Sequence, residues 1–307
     1  MASELRDCDC GFIDSKDPTR SIFTNLLVVN FTSATTQQLD DFFILASYDV
    51  SQPHTPYTRN YSAAQLHSSS AGLDLTVSPS PDGANVPCAQ IFTKDTDFFY
   101  GSYRTRVRVG DEPGTVAAFY SYKNDSSEID IEYLSAWTQP TLLYTVKPQI
   151  YSPSGNPDDR TYQQEKLPHT NDFHEWSWTW LPEIVHFGLD SNYSRNITAN
   201  VPQAPGRIAL NHWSNGDAKY SLGPPERNST ITVSFLQAIY NDTSVQTLAC
   251  RRSSAACLVT DGTITSSTRP PAHTSRYVTY INSGTHRTNI GAAGWFLIGY
   301  LFVLWLV

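Results

Sequence analysis

Residues 128 to 132 read Glu-Ile-Asp-Ile-Glu. Acid and β-branched residue alternate strictly, the period-two signature of a strand whose side chains go to opposite faces. The pattern predicts that Glu128, Asp130 and Glu132 share one face while Ile129 and Ile131 enter an apolar layer. Three carboxylates aligned on one face repel one another, so the arrangement costs stability unless something uses it. It suits acid/base and nucleophilic work on a glycosidic bond, which needs two carboxyl groups in different protonation states. A solvated edge strand that happens to carry acids is the plain structural alternative.

Two carboxyl groups that cleave a glycoside with retention stand ~5–5.5 Å apart. On a flat strand, residues four apart are separated by ~13 Å at Cα. Glu128 and Glu132 must therefore lean toward one sugar from a curved strand, with Asp130 between them. The chain offers the elements for such a sheet. Short strand-like runs recur at 21–31, 72–77, 103–109, 116–122, 129–134 and 231–240, and turn residues such as Pro81-Asp82-Gly83 separate several of them. Apolar residues at helical spacing are lacking over any long stretch, so the fold class predicted is an all-β sandwich. Trp176, Trp178 and Trp180 alternate and share a face. Aromatic faces stack on sugars, but a sandwich core also takes aromatics, and core is the expected place for at least two of the three.

Further motifs stand in order around the acid run. Upstream are Tyr100-Gly101-Ser102-Tyr103-Arg104 and Gly114-Thr115-Val116-Ala117-Ala118-Phe119. Downstream come Phe173-His174-Glu175-Trp176-Ser177-Trp178 and Asn211-His212-Trp213-Ser214-Asn215-Gly216. Together these resemble glycoside hydrolase family 16, in particular its fungal secreted and wall-associated members, over roughly residues 10–245. The acid run matches the family's E-x-D-x-E signature in the form without an extra residue before the second Glu. The resemblance implies a concanavalin A-like jelly-roll sandwich of two curved antiparallel sheets, and an endo-acting β-glucan hydrolase that retains anomeric configuration. It implies Glu128 as nucleophile, Glu132 as acid/base and Asp130 as the residue that sets their protonation. It places Trp137, Asn211, His212 and Trp213 beside the acid strand as substrate-binding residues, although His212 also suits a satisfied structural histidine. Tyr220 stands where related enzymes often carry Trp. A wall-remodelling transglycosylase using the same trio is the second reading, and a carbohydrate-binding sandwich without turnover is a third, against which the intact trio counts.

Composition narrows the partners. A net charge of −8 argues against nucleic acid or anionic lipid, both of which demand a basic face, and fits a neutral polysaccharide. No metal or cofactor is expected, since the cysteines lack a Cys-x-x-Cys pair or a second ligand cluster. Cys8, Cys10, Cys88, Cys250 and Cys257 are compatible with two disulfides and one odd thiol, with the pairing open. Asn30, Asn60, Asn124, Asn192, Asn196, Asn228 and Asn241 head glycosylation sequons, and seven together point to the secretory pathway.

The organisation expected is a Cys-containing segment at 1–19, a catalytic sandwich at 20–245, a Ser/Thr/Arg-rich linker at 246–289 and an apolar tail at 290–307, in a monomer at the cell surface or outside the cell. Met1–Asp9 is polar and lacks a signal-peptide core, so missing sequence is expected before it. The tail is short for a spanning helix, for which ~20 residues are typical. With Asn282-Ser283-Gly284 upstream it fits a glycosylphosphatidylinositol attachment signal, the alternative being a short membrane anchor.

Overall fold

In the computed structural model the described residues are 8, 11–243, 256–265 and 278–281. Cys10, Cys250, the attachment site expected at Asn282–Gly284 and the apolar tail lie outside them. Among the described residues no helix is long and apolar enough to cross a membrane.

Two antiparallel-dominated sheets of nine strands each face one another. The first runs, in spatial order, through Tyr162–Lys166, Thr141–Lys147, Ser127–Leu134, Val116–Asn124, Arg207–Trp213, Asn85–Thr93, Thr58–Tyr61 and Tyr48–Val50, with Phe43–Leu45 also on Asn85–Thr93. The second is built on Ile184–Leu189, Phe173–Leu181, Gly101–Arg108, Ser229–Tyr240 and Asn25–Asn30. This is the jelly-roll sandwich expected from the alternating runs. One α-helix, Thr36–Phe42, interrupts it, started by a capping box in which Thr35 and Gln38 satisfy each other's backbone N–H.

Alternation decides what each sheet buries. Ile129 and Ile131 are fully buried between the sheets, as their spacing predicts. All three tryptophans of Phe173–Leu181 are core residues, each at most 1% exposed. Trp178 sits between Tyr103 and Phe119, with ring centroids 5.3 and 4.2 Å away. The Trp180 indole N–H donates to the Pro202 carbonyl at 3.0 Å. Large aromatics here span the gap between two curved sheets, and each buries on the order of 150–250 Å².

The residues between those tryptophans point to the outer face of the second sheet, which is covered as well. Phe12–Asp14 pairs in parallel with Cys257–Thr260, which pairs with Thr263–Thr265, and a Cys8–Cys257 disulfide ties the two ends together. Val278–Ile281 adds a parallel strand to Asn25–Asn30. Residues 256–265 and 278–281 were expected in a linker; instead they pair as strands, and those of 256–265 lie over the outer face. The reason is electrostatic as well as covalent. Asp261, the one acid of that Ser/Thr/Arg-rich segment, meets Lys16 at 2.8 Å, Arg106 at 2.8 Å and Arg104 at 3.2 Å. Arg104 is fully buried and also holds Asp14 at 2.7 Å and Glu175 at 2.9 Å. Cys88 is a free, buried thiol, and Cys8–Cys257 is the disulfide among the described residues.

Removing one partner from a buried charge cluster leaves the others uncompensated, at a cost of about 3–5 kcal/mol. Arg104→Met is accordingly expected to lower the urea unfolding free energy by that amount and to loosen residues 11–17 and 256–265 first. Limited proteolysis beside urea titration checks this; a loss below about 1 kcal/mol would show that Asp14 and Glu175 find other compensation.

Candidate active site

The strand Ser127–Leu134 lies between Thr141–Lys147 and Val116–Asn124. Register places Lys147 and Tyr122 on either side of Glu128, Thr145 and Tyr120 on either side of Asp130, and Leu143 and Ala118 on either side of Glu132. Because Ile129 and Ile131 occupy the core, the three acids face outward together. One strand further on, Arg207, Ala209, Asn211 and Trp213 lie opposite Tyr122, Tyr120, Ala118 and Val116, and so continue the same face.

Each glutamate has its own partner. Lys147 donates to Glu128 Oε2 at 2.6 Å and stands 3.9 Å from Asp130 Oδ2. The Tyr220 hydroxyl donates to Glu132 Oε2. Burial, reinforced by the charge of Glu128, holds the Asp130 carboxyl well above the usual carboxylate range. Burial also raises Glu132, while the Tyr220 hydrogen bond and the Lys147 charge pull it back. Burial works against the Lys147 charge, yet Asp130 and Glu128 outweigh it and keep the ammonium protonated. Burial and the Glu128 charge thus favour the neutral form of the middle carboxyl, between two glutamates with different hydrogen-bond partners.

The site residues expected from sequence divide into two groups. Asn211 and Trp213 face the cleft: Asn211 Nδ2 donates to the Tyr120 hydroxyl at 3.4 Å, and Trp213 stacks on Tyr220 at 6.1 Å. Trp137 is half-buried in the same aromatic cluster. His212 is a correction. Strand alternation turns it inward, where it is 1% exposed, with Nδ1 donating to the Leu75 carbonyl and Nε2 accepting from Thr115 Oγ1, both at 2.9 Å. It joins the two sheets and does not reach the cleft.

Three atoms on this face are buried without a partner: Asp130 Oδ2, Asn211 Oδ1 and Arg59 Nε. An unsatisfied buried polar atom costs about 1–3 kcal/mol, a cost that a ligand on this face would offset. Among the described residues no group of three His, Cys, Asp or Glu is arranged to hold a metal ion. Lys147 was not foreseen, because cross-strand register, invisible in a single chain segment, brings it to the acids. Tyr220 was singled out by position, but not its bond to Glu132. That bond depends on the loop after Trp213, where Gly216 takes φ +70° and packs so closely on Tyr57 that a Cβ would stand 2.5 Å from the ring.

The sequence profile of Glycosyl hydrolases family 16 matches residues 54–234, more than half of the chain, and the chain belongs to that family. A beta-glucanase of Acetivibrio thermocellus is 28% identical over 137 residues, which are 43% of this chain and 39% of that protein. The chain thus spans well under two thirds of that relative's length. Among solved structures, a prokaryotic β-1,3-1,4-glucanase (lichenase) from a mouse hindgut metagenome superposes with a TM-score of 0.57 at 20% identity, covering 70% of this chain and 98% of that one. The transglycosylase Crh5 superposes with a TM-score of 0.50 at 18% identity, covering 70% and 84%. At these identities the structural likeness is one of fold.

Burial lowers the His212 pKa from 6.5 to about 4, against the Leu75 bond that works to raise it. The unfolded chain therefore takes up a proton below about pH 6.5 that the folded chain refuses until about pH 4. Stability is full above that window, falls as pH drops through it, and levels off below it, a loss of about 3 kcal/mol. Urea unfolding between pH 7 and 4 is expected to show His212→Gln losing less stability than the parent by that margin. Parallel decline of the two proteins would assign the pH dependence elsewhere.

Proposed function

We propose that this protein is a retaining, endo-acting β-glucan hydrolase working by double displacement. The observation that carries the reading is the single cleft face shared by Glu128, Asp130 and Glu132, with Lys147 on the first glutamate and Tyr220 on the last. Family membership and the printed names of the relatives, beta-glucanase among them, support the substrate class.

In the first step Glu128 attacks the anomeric carbon while Glu132 gives its proton to the glycosidic oxygen. The C–O bond breaks, the leaving chain departs as an alcohol, and a glycosyl ester forms on Glu128. In the second step Glu132, now a carboxylate, takes a proton from water as the water oxygen attacks the same carbon, and the Glu128 carboxylate is released. Lys147 stabilises that departing charge. Asp130, protonated by its burial, donates toward Glu128. A sugar hydroxyl in place of water would give transglycosylation by the same steps. Secretion to the cell surface belongs to this reading, resting on the Cys8–Cys257 disulfide and the seven sequons. Asn124, Asn192, Asn196 and Asn228 are exposed, while Asn30, Asn60 and Asn241 are half-buried. Anchoring through the 290–307 tail rests on sequence alone.

Glu128→Gln is expected to keep the fold and lose several orders of magnitude in turnover, because the nucleophile is gone. Glu132→Gln is expected to recover on aryl glycosides whose leaving groups need no protonation. Equal loss on natural and activated substrates would remove Glu132 from the acid role. Incubation with a panel of β-glucans, with and without oligosaccharide acceptor, is expected to yield shortened chains whose first-formed anomer by proton NMR is β. An α-product would refute double displacement, and acceptor-extended chains in place of reducing ends would make the protein a transglycosylase.

A further inference from the structure

Two guanidinium groups lie on the far half of the cleft floor, on the side away from Lys147. Arg207 is at the start of the strand Arg207–Trp213, stacked on Phe92 at 5.0 Å. Arg59, from Thr58–Tyr61, is stacked on Trp213 at 4.7 Å. Both belong to the cleft face by register, since Arg207 pairs with Tyr122 and Arg59 with Val86, in line with Gln90 and Phe92 along Asn85–Thr93. Arg207 and Trp213 stand at opposite ends of their strand, ~20 Å apart at ~3.3 Å per residue. A glycan crossing the strands over Asn211 and Gln90 therefore runs between the two cations. Tyr48, 44% exposed and bonded to Gln90, lies at the end of that path. Burial raises its hydroxyl pKa, while Gln90, Arg59 and Arg207 pull it down, so both charges are felt at one ring.

Arginine on an aromatic ring is by itself commonplace. What separates these two is that neither guanidinium makes an ion pair among the described residues, nor, for Arg207, a hydrogen bond to a carbonyl or hydroxyl oxygen of the kind that holds Arg20 on Ser15 and Arg195 on Gln164. Arg104, Arg106, Arg160 and Arg227 all pair with carboxylates. Arg108, also on a ring, donates to Thr232. Among the described residues Arg207 makes no hydrogen bond or ion pair, and the Nε of Arg59 is buried without a partner. Each guanidinium rests on a ring, and the Arg207 donors are left unpaired, so its fork can take a carboxylate bidentately.

Resting on the glycanase reading, we infer that this half of the cleft binds a chain carrying carboxylate groups, an acidic glycan in which uronate units engage Arg59 and Arg207. The three acids of the strand Ser127–Leu134 then face a neutral sugar at the point of cleavage, two or more strands from Arg207. Selectivity for acidic units then arises chiefly at Arg207, beside the reacting bond, since the Arg59 charge is also felt at Glu132.

The test uses the full chain carrying Glu128→Gln, which prevents turnover, with laminarihexaose, a mixed-linkage glucan hexasaccharide and both backbones oxidised at C6 to carboxylates. Calorimetry at low salt is expected to show a carboxylated form bound at least about tenfold more tightly than its parent, as charge-assisted contacts imply. That preference should shrink with added salt in this protein, and vanish with Arg207→Gln or Arg59→Gln introduced into it. Equal affinities, a preference that survives both substitutions, or displacement by polyglutamate as effective as by the carboxylated sugar would each overturn the inference. Cleavage assays with the unsubstituted protein separate the two readings. Turnover of a neutral hexasaccharide with no preference removes only the acidic-chain inference, whereas a carboxylate preference without turnover of any chain removes the hydrolase.

Discussion

Everything in this structure answers to one constraint: three carboxylates are held on one face of a single strand, largely out of water. At the spacing of alternate strand residues their repulsion in a low-dielectric site is worth several kcal/mol. Part of it is relieved by protonating Asp130 and part by the ammonium of Lys147. The remainder is borne by the sandwich, whose core packs against Ile129 and Ile131 on the opposite face and leaves the strand no freedom to rotate its acids apart. The cluster is stable only because the fold over-determines it, which is the usual relation between a strained functional element and its scaffold.

The same fold carries a second charge cluster, and the contrast is instructive. Around Arg104 the acids and bases alternate in space, nearly every group meets an opposite charge, and the result cements the outer strands to the sheet. Around Asp130 like charges meet, polar atoms are left unpaired, and the surface is open to a ligand. Opposite charges dominate the first cluster and like charges the second. The cations of the far cleft half, Arg59 and Arg207, rest on aromatic faces and make no ion pair among the described residues.

Positioning of the two glutamates depends on elements distant in the chain. Lys147 reaches Glu128 because Thr141–Lys147 pairs in antiparallel register with the acid strand. Tyr220 reaches Glu132 across 88 positions of sequence, from a loop seated on Tyr57 through Gly216. Glu128 is therefore set by sheet register and Glu132 by loop packing, two features able to vary independently.

Much of this was legible in the residues themselves. Strict alternation over 128–132 determined which face carries acid and which enters the core, and the spacing of Trp176, Trp178 and Trp180 assigned them a common face. Those are period-two consequences of backbone geometry and need no tertiary information. Tertiary structure decided the rest. His212 sits between two cleft residues in sequence and faces away from both, since neighbours in a strand point oppositely, and only the register of Arg207–Trp213 on Val116–Asn124 settles which face is which. The residues 256–265 read as a linker because their strands are short and stand in a Ser/Thr/Arg-rich stretch. They become ordered through Cys8 and Arg104, partners more than 150 positions away. Local pattern fixes where a side chain points relative to its neighbours; what it meets there is settled by chain segments that pattern cannot see.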